Sequence, residues 1–399
     1  MPASSMLAAG VDVGSHWTRS VILLMEDARV RLLGYAATAS QGWHKGRIAD
    51  QKAISESILR SVREAEKIAG AAIGSAVFGL GGGGVCGTNG RGGYEIGFPR
   101  QIDQNDVNRV VERASRVQLQ EDEMVLHLLP QDFTVDGRTG HRNPRGMIGS
   151  RLEVYVHLVT GSLQEHQALV GAANEAHLFV EETVFEPLAA AYAAILPEER
   201  QEGCVLVDIG AHSTELAAYY GETLLLSASL PICGDHFTRD VARGLIVNGD
   251  DAAWIKEQYG CAMPGFGADN SLLELPSAAG RSVRETSCRE LNMILEARAL
   301  ELFEFVAEEL KRIGMEQMLM GCVIAGGGAR LQGLCDVAEK VLKCQARIGL
   351  PVGILDWPAE IDDPAWTVAA GLAMYSARLK LRSELDRKSS GFFAKVLGA

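Results

Sequence analysis

The chain has 399 residues, of which 47% are hydrophobic and 22% charged, so it is long enough for two or more subdomains with buried cores. Its formal net charge of -13 argues against a nucleic-acid-binding surface. The eight cysteines form no C-x-x-C pair, which predicts reduced thiols in a cytosolic protein rather than a zinc or disulfide framework. We also expect neither secretion nor a membrane span, because the chain has no signal-peptide pattern and no run of about 18 apolar residues.

A short pattern occurs twice. Residues 11–23 read VDVGSHWTRSVIL and residues 207–219 read VDIGAHSTELAAY, with Val, Asp, Gly, His and Thr in register. Each copy predicts a strand, a tight turn and a second strand, whereas a Rossmann or P-loop site would pass from a strand into a helix. Two such hairpins, 196 residues apart, predict a nucleotide clamped between two related domains.

The residue types at the two turns suit phosphate and Mg²⁺. Glycine lets backbone amides approach a phosphate closely, hydroxyls donate to it, and an aspartate holds Mg²⁺ directly or through water. The candidates are Gly14 and Gly210 for backbone approach, Ser15 and Thr214 as hydroxyl donors, and Asp12 and Asp208 for Mg²⁺.

Two further stretches are rich in glycine. Residues 79–93 (GLGGGGVCGTNGRGG) do not open a helix, which predicts a flexible surface hairpin. Residues 322–334 (CVIAGGGARLQGL) predict a buried strand that runs into Gly326, Gly327 and Gly328 and then a helix. A loop of this shape accepts the adenosine and phosphates of a nucleotide.

The three turns, in this order, resemble those of the actin-like ATPase superfamily. Residues 185–196 (FEPLAAAYAAIL) and 367–376 (TVAAGLAMYS) resemble its two connecting helices. Within the superfamily the chain resembles the FtsA family of bacterial cell-division proteins over nearly its whole length, most specifically at residues 126–161 and 231–262. The resemblance implies an α/β, actin-like two-domain fold of duplicated ribonuclease-H-like halves with an FtsA-type inserted subdomain.

The resemblance also implies a division of the chain. The helix of the insert is expected in residues 103–117, with Val107, Val110, Val111, Ala114 and Val117 on one face. The expected segments are 1–83 (first half, N-terminal part), 84–162 (inserted subdomain), 163–200 (first half continued), 201–235 (second half), 236–304 (second-half subdomain), 305–366 (second half continued), 367–380 (helix returning to the first half), 381–390 (linker) and 391–399 (amphipathic membrane-targeting tail).

Site residues carry over from the family position by position, and the implied cofactors are ATP and Mg²⁺. Glu186 takes the position that faces the attacking water, and Arg19 lies in the first phosphate loop. Gly234 and Lys256 fall on nucleotide-side positions of the second half, and residues 326–328 form the adenosine loop.

The sequence departs from the family pattern at two places. The second loop is commonly D-I-G-G-G-T, but here Ala211 and His212 replace two glycines and narrow the approach to phosphate. Ala253 stands where a glutamate usually precedes the lysine by three residues. These departures predict weakened nucleotide binding and an ATP-binding scaffold with at most weak ATPase activity.

The family resemblance implies several partners. Members of the FtsA family tether the tubulin-like FtsZ to the membrane and assemble into filaments. The resemblance also implies contacts with other division proteins through the insert. Residues 281–310 match the surface that binds the C-terminal peptide of FtsZ, where Arg284 and Arg298 are expected to pair with acidic groups. The buried face of this helix is expected to contain Leu291, Ile294, Leu295, Leu302 and Phe305.

The C-terminal segment is basic and amphipathic. From Arg378 to Ala399 there are six Lys or Arg and two Asp or Glu, a net charge of +4. In a helix, Phe392, Phe393, Val396 and Leu397 fall on one face with Lys395 beside it, the pattern of an interfacial anchor. This predicts reversible binding to anionic lipids, strengthened by avidity in a filament. The family resemblance implies that the membrane is the cytoplasmic face of the inner membrane at the division site.

Two alternative functions share the superfamily fold. A small-molecule kinase would need a catalytic acid or base near the transferred phosphate, and no further carboxylate cluster is apparent in the sequence. A PilM-like platform for type IV pili would share the fold and the insert. Since fold does not fix function, the tail and residues 126–161 are what favour the FtsA resemblance.

Overall fold

The computed structural model describes residues 6–26, 29–265, 271–275 and 284–396, with side chains of the last helix described as far as Glu384. The strands are β1 (Met6–Val13), β2 (Trp17–Glu26), β3 (Arg29–Ala39), β4 (Trp43–His44), β5 (Arg47–Ile48), β6 (Ser75–Leu80), β7 (Cys86–Gln101), β8 (Glu123–Val135), β9 (Arg138–His141), β10 (Ile148–Ser162), β11 (Phe179–Phe185), β12 (Cys204–Ile209), β13 (Thr214–Tyr220), β14 (Thr223–Leu230), β15 (Leu272–Leu275), β16 (Arg284–Ser287), β17 (Gly321–Ala325), β18 (Gln345–Ile348) and β19 (Ile354–Leu355). The helices are α1 (Gln51–Ala69), α2 (Gln104–Ala114), α3 (Leu163–Glu175), α4 (Glu186–Ala194), α5 (Pro197–Glu202), α6 (Gly234–Leu245), α7 (Gly249–Tyr259), α8 (Cys288–Arg312), α9 (Leu334–Leu342) and α10 (Thr367–Val396).

Two sheets with the same strand order form two related halves. The first has the order β11-β6-β1-β2-β3, extended at its edge by β19, and the second has the order β18-β17-β12-β13-β14. Each half begins with three antiparallel strands. A fourth strand then pairs in parallel with the first of them, and a fifth pairs in parallel with the fourth. The predicted strand–turn–strand repeat is thus β1–β2 and β12–β13, and the duplicated actin-like fold is confirmed.

A separate sheet forms the insert between β6 and α3. Its strand order is β7-β10-β8-β9, and α2 packs on it. Val110 and Ala114 of α2 are buried in its core, and the other three predicted apolar residues, Val107, Val111 and Val117, pack against that core. Val117 does so from beyond the end of the helix.

The glycine-rich residues 79–93 are not a surface hairpin as predicted. The stretch ends β6, makes one turn and enters β7, which pairs with β10 from Cys86 to Gln101. Two of its glycines lie directly beneath α2, where a Cβ at Gly92 would come within 2.5 Å of the backbone nitrogen of Ala114. Glycine therefore reflects close packing of a helix on a strand here, which is a tertiary contact that a local sequence pattern does not reveal.

The two predicted connecting helices, α4 and α10, pack against each other between the halves. The predicted linker over residues 381–390 is wrong at the level of the backbone, because α10 continues from Thr367 to Val396. The segment LRSELDRKSS is polar but contains no proline or glycine, and leucine, arginine, glutamate and lysine favour helix.

A second predicted boundary also falls inside a helix, because α8 continues through residues 304 and 305 without a break. Among the described helices, none has the length and apolar character to span a membrane.

Candidate nucleotide site

The two repeated turns face each other across a cleft between the halves, in a cavity of about 1400 Å³. Thr214 differs from expectation, since its side chain is fully buried at the start of β13 and Ser213 lines the cavity in its place. The predicted nucleotide, Mg²⁺ and water-positioning residues that line the cavity are Asp12, Gly14, Ser15, Arg19, Glu186, Asp208, Gly210, Gly234, Lys256, Gly326, Gly327 and Gly328.

The third glycine turn packs directly onto the second repeated turn. Gly326 has a φ of 82°, and a Cβ there would lie against Oδ1 of Asp208 and 2.6 Å from the carbonyl oxygen of Ile209. Only glycine fits such a conformation at this distance. A 3-10 turn over Gly327–Arg330 follows, so the expected helix, α9, begins only at Leu334.

Two aspartates lie at the ends of the equivalent strands β1 and β12. Burial raises the pKa of Asp12 to about 6, against the opposing effect of Arg19, whose Nη1 is 3.8 Å from Oδ2 of Asp12. Burial and the charge of Asp12 raise the pKa of Asp208 to about 7. A divalent cation between them would favour both ionised carboxylates, and carboxylate oxygens are the ligands that Mg²⁺ prefers. The donor set therefore fits the predicted Mg²⁺.

A second pair of carboxylates, which the sequence reasoning missed, lies behind the first. A Cβ at Gly81 would be 2.5 Å from Oε2 of Glu186 and 2.5 Å from Oε1 of Glu215, so the two side chains are close neighbours. The backbone N–H of Gly82 donates to Glu215 Oε1, while Glu215 Oε2 has no hydrogen-bond partner among the described residues. The expectation that no further carboxylate cluster exists is corrected.

Both members of this pair hold a proton more tightly than usual. Burial, followed by the charge of Glu215, raises the pKa of Glu186 well above its ordinary range. Burial raises the pKa of Glu215 to about 8, although the Gly82 N–H acts in the opposite direction. The repeat held a signal for Glu215, since it occupies the position of Arg19 in the second copy and faces Asp208 as Arg19 faces Asp12. Buried carboxylates with raised pKa values suit proton transfer near neutral pH.

The departure at His212 links the two turns. Its Nδ1 is 2.7 Å from Oγ of Ser15, and its Nε2 is 3.3 Å from Oδ2 of Asp235 in the first turn of α6. The side chain therefore spans the cleft from the second half to the first. Below it, the N–H of Gly234 donates to the carbonyl of Gly210 at 2.9 Å, which fixes the start of α6 to the same turn.

The remaining predicted contact residues lie on the second-half side of the cavity. Lys256 on α7 donates from Nζ to Oγ1 of Thr238 at 2.8 Å. Burial lowers the pKa of this lysine. Ala253, one turn earlier on α7, also lines the cavity and supplies no polar group. Lys256 is thus the cation that α7 presents to the cavity, which Asp250 and Glu257 of the same helix also line.

Comparison with known proteins identifies the family. The family model described as "SHS2 domain inserted in FTSA" matches residues 82–160, and the model described as "Cell division protein FtsA" matches residues 205–371. The chain is 33% identical to Cell division protein FtsA of Borreliella burgdorferi, covering 98% of this chain and 99% of that protein. It is 31% identical to that of Pseudomonas aeruginosa, covering 99% of this chain and 93% of that protein. The chain belongs to the FtsA family of cell-division proteins.

Solved structures agree with the fold of the FtsA family. The PilM-PilN type IV pilus biogenesis complex matches with a TM-score of 0.68 at 18% identity, covering 92% of this chain and 98% of that chain. MreB5 of Spiroplasma citri bound to ADP matches with a TM-score of 0.57 at 13% identity, covering 95% of this chain and 98% of that chain. At these identities the likeness shows a shared actin-like fold.

Arg284 and Arg298, the two arginines predicted to bind the FtsZ peptide, form hydrogen bonds within the chain. Arg298 donates from Nε to Oδ2 of Asp240 at 2.5 Å and also bonds Glu301. Arg284 donates to the carbonyl of Leu245, at the end of α6. Arg298 is therefore paired with two carboxylates, whereas the described contacts of Arg284 are to backbone carbonyls.

The helix face predicted within residues 281–310 packs as expected. Leu291, Leu295 and Leu302 are fully buried, and Ile294 and Phe305 pack against the same core. Of the predicted membrane residues, Phe392, Phe393, Lys395 and Val396 fall within the backbone span of α10, but their side chains lie outside the described part, as does the whole of Leu397.

Proposed function

We propose that this protein binds ATP with Mg²⁺ in its interdomain cleft and tethers FtsZ filaments to the cytoplasmic face of the inner membrane at the division site. The observation that carries the proposal is the pairing of two equivalent phosphate turns across one cleft in a member of the FtsA family. Nucleotide bound there contacts both halves at once. Its presence therefore favours one relative arrangement of the halves, which is how ATP drives self-association into filaments.

Nucleotide binding is supported by the size and chemistry of the cleft. Small-molecule sites usually have volumes of about 300–1,000 Å³, so the cavity of about 1400 Å³ has room for a nucleotide and its water. Lys256 and Arg19 supply positive charge from opposite halves, and Asp12 with Asp208 would hold Mg²⁺. When bound, Mg²⁺ would neutralise part of the negative charge of the phosphates.

Slow ATP hydrolysis is supported by the carboxylate pair. Glu186 lines the cavity beside Glu215, and both are buried with raised pKa values. In the proposed mechanism Glu186 orients the attacking water, and the pair accepts the proton of that water when one of its two carboxyl groups is ionised. Glu215 Oε2 is the free acceptor, because the other oxygen already accepts from Gly82. Because both pKa values are raised, only a small fraction of the pair is ionised near neutral pH, which also keeps the rate low.

Docking of the acidic FtsZ peptide is proposed for the second-half subdomain, residues 236–304. Four large apolar side chains there, Ile246, Trp254, Leu272 and Met293, are 49–75% exposed. Arg284 lies beside Ile246, whose carbonyl oxygen is 3.4 Å from its Nη2. An acidic peptide with apolar residues would exchange the carbonyl contacts of Arg284 for a charged partner, which is a stronger hydrogen bond. The insert, residues 84–162, is proposed to contact other division proteins.

Membrane attachment is proposed through the end of α10. The amphipathic pattern of Phe392, Phe393, Val396 and Leu397 beside Lys395 supports it, and one such helix binds reversibly. Filament formation multiplies the attachment, since linked copies bind through avidity. Attachment and assembly are therefore coupled through the cleft.

Co-sedimentation with anionic liposomes tests the proposal. Full-length protein is compared with a chain stopped at Ser390, each with and without ATP and Mg²⁺ and with FtsZ. We expect only the full-length protein to pellet, more strongly with ATP, and to carry FtsZ with it. Two double variants separate apolar insertion from a change in the helix. Phe392→Ser with Phe393→Ser removes the apolar side chains, and Ser389→Ala with Ser390→Ala is the matched control. If both lengths stay in solution under every condition, the tether is excluded.

A further inference from the structure

The two histidines of the repeated turns meet at the mouth of the cleft. His16 and His212 are equivalent positions of the two copies, and their ring centroids are 5.6 Å apart with the planes at 83°. Asp235, in the first turn of α6, lies between them. One ligand atom from each of the three side chains lies within 4.8 Å of the others. Three elements from two halves thus converge on one point.

The distances in this cluster fit a shared metal ion better than direct hydrogen bonds. Nε2 of His212 is 3.3 Å from Asp235 Oδ2, and Nε2 of His16 is 3.8 Å from Asp235 Oδ1. An N–H···O bond is usually 2.7–3.2 Å long. A tetrahedral zinc ion with bonds of about 2.0 Å holds neighbouring ligand atoms about 3.3 Å apart. Small rotations of the exposed His16 side chain therefore complete such a site.

A second contact orients one of the ligands. Nδ1 of His212 is 2.7 Å from Oγ of Ser15. When Nδ1–H donates to this hydroxyl, the lone pair of Nε2 points toward Asp235, which is the tautomer that a metal requires. Metal-binding histidines ordinarily have such a partner on the other ring nitrogen.

We propose that His16, His212 and Asp235 bind a divalent transition-metal ion of the zinc class, with the fourth position open to solvent. Two imidazole nitrogens and one carboxylate are donors that favour zinc over magnesium, which separates this site from the Asp12 and Asp208 pair. The ion would join the turn after β1 to the turn after β12 and to α6. It would therefore hold the two halves together at the mouth of the cleft when nucleotide is absent.

Titration of the nucleotide-free full-length chain with Co²⁺ tests the site, because tetrahedral Co²⁺ absorbs visible light more strongly than octahedral Co²⁺. We expect one ion per chain with a tetrahedral spectrum, displaced by Zn²⁺. His16→Ala, His212→Ala and Asp235→Asn should each weaken binding by at least about 10-fold, the low end of what loss of an outer partner costs. Ser15→Ala should weaken it by about the same factor through the tautomer of His212.

The control is His44→Ala, which removes an exposed histidine on β4 outside the cluster and should leave the affinity unchanged. The eight cysteines are the same in every variant, so a thiolate site would not respond to these substitutions. Melting without metal verifies that each variant is folded. The proposal is overturned if the three ligand variants bind Co²⁺ as the wild type does, or if His44→Ala loses binding equally. Because nucleotide is absent, neither outcome depends on the proposed tether.

Discussion

The two repeated hairpins share a backbone and differ in charge at one position. In the first, Asp12 faces Arg19 across the β1–β2 register. In the second, Asp208 faces Glu215 across the equivalent β12–β13 register. The same fold thus presents an ion pair on one side of the cleft and two carboxylates on the other.

This difference shows how a duplicated fold acquires two chemical roles. The first hairpin combines a cation with an aspartate, which suits phosphate and Mg²⁺. Arg19 is further held 5.9 Å from the ring centre of Trp366. The second hairpin adds Glu215 to Glu186 behind the proposed phosphate position, which suits proton transfer. In the proposed site, backbone geometry sets where the nucleotide binds, and the residue opposite each aspartate sets the chemistry of each side.

Removing the carboxylate pair should give the largest effect. Glu186→Gln and Glu215→Gln should each lower ATP hydrolysis by about 100-fold or more, because the proton acceptor for the attacking water is lost. Nucleotide affinity should change little. The measurement is phosphate release together with ATP binding, and the control is Glu182→Gln on β11, whose carboxylate bonds Tyr375 instead. Wild-type hydrolysis in Glu215→Gln would show that the second hairpin has no such role.

Substitutions in the first hairpin should change the stability of the fold more than the rate of hydrolysis. Arg19→Met should lower the free energy of unfolding by about 3 kcal/mol, since a buried aspartate loses its cation. Glu215→Gln should raise stability near neutral pH, because folding must protonate Glu215, whose pKa burial raises to about 8, and an amide avoids that cost. Urea unfolding measures both. The control Arg31→Met breaks the exposed pair with Asp356 and should cost no more than about 1 kcal/mol. Equal effects of Arg19→Met and Arg31→Met would contradict the contrast between the hairpins.

The contacts of the insert with the two halves should depend on pH. His127 accepts from the N–H of Phe185 in the first half, and His157 bonds Ser227 of the second half. Burial lowers the pKa of each histidine from 6.5 to about 4. The unfolded chain therefore binds more protons between these values, and stability falls as the pH drops through that window. At pH 5 the loss should be about 2 kcal/mol for each histidine.

The test is the free energy of unfolding from pH 7 to pH 5. His127→Gln and His157→Gln should each flatten the slope, whereas His44→Gln on the exposed strand β4 should not. Flattening in only one variant would show that the other histidine does not contribute to the pH dependence of stability.

The smallest effect is expected for the contact between the turns themselves. Ser15→Ala removes the hydrogen bond to His212 and should destabilise the nucleotide-free protein by about 1 kcal/mol. Hydrogen exchange at residues 11–23 and 207–219 should rise in both copies. Ser115→Ala, which removes a bond confined to the end of α2, is the control. A change limited to the first copy would mean that the turns are not coupled.

Local pattern was sufficient for much of the fold. The repeated strand–turn–strand units and the core faces of α2 and α8 follow from periodicity and turn residues, and the turn glycines identified one wall of the cavity. The linker at residues 381–390 was wrong because polarity was taken for the end of a helix, although every residue there tolerates helical backbone. The prediction of a surface hairpin at residues 79–93 was also wrong, because two of these glycines allow α2 to pack closely on β7.

The sequence by itself determined the family, the duplication and the turns, because these depend on residues that are neighbours in the chain. Only the tertiary structure decided that Glu215 meets Glu186, that Arg298 bonds Asp240, and that His16, His212 and Asp235 converge. Each of these contacts joins elements that are distant in sequence. Burial also shifts the pKa values of Asp208 and Glu215, and burial is a property of the folded chain alone.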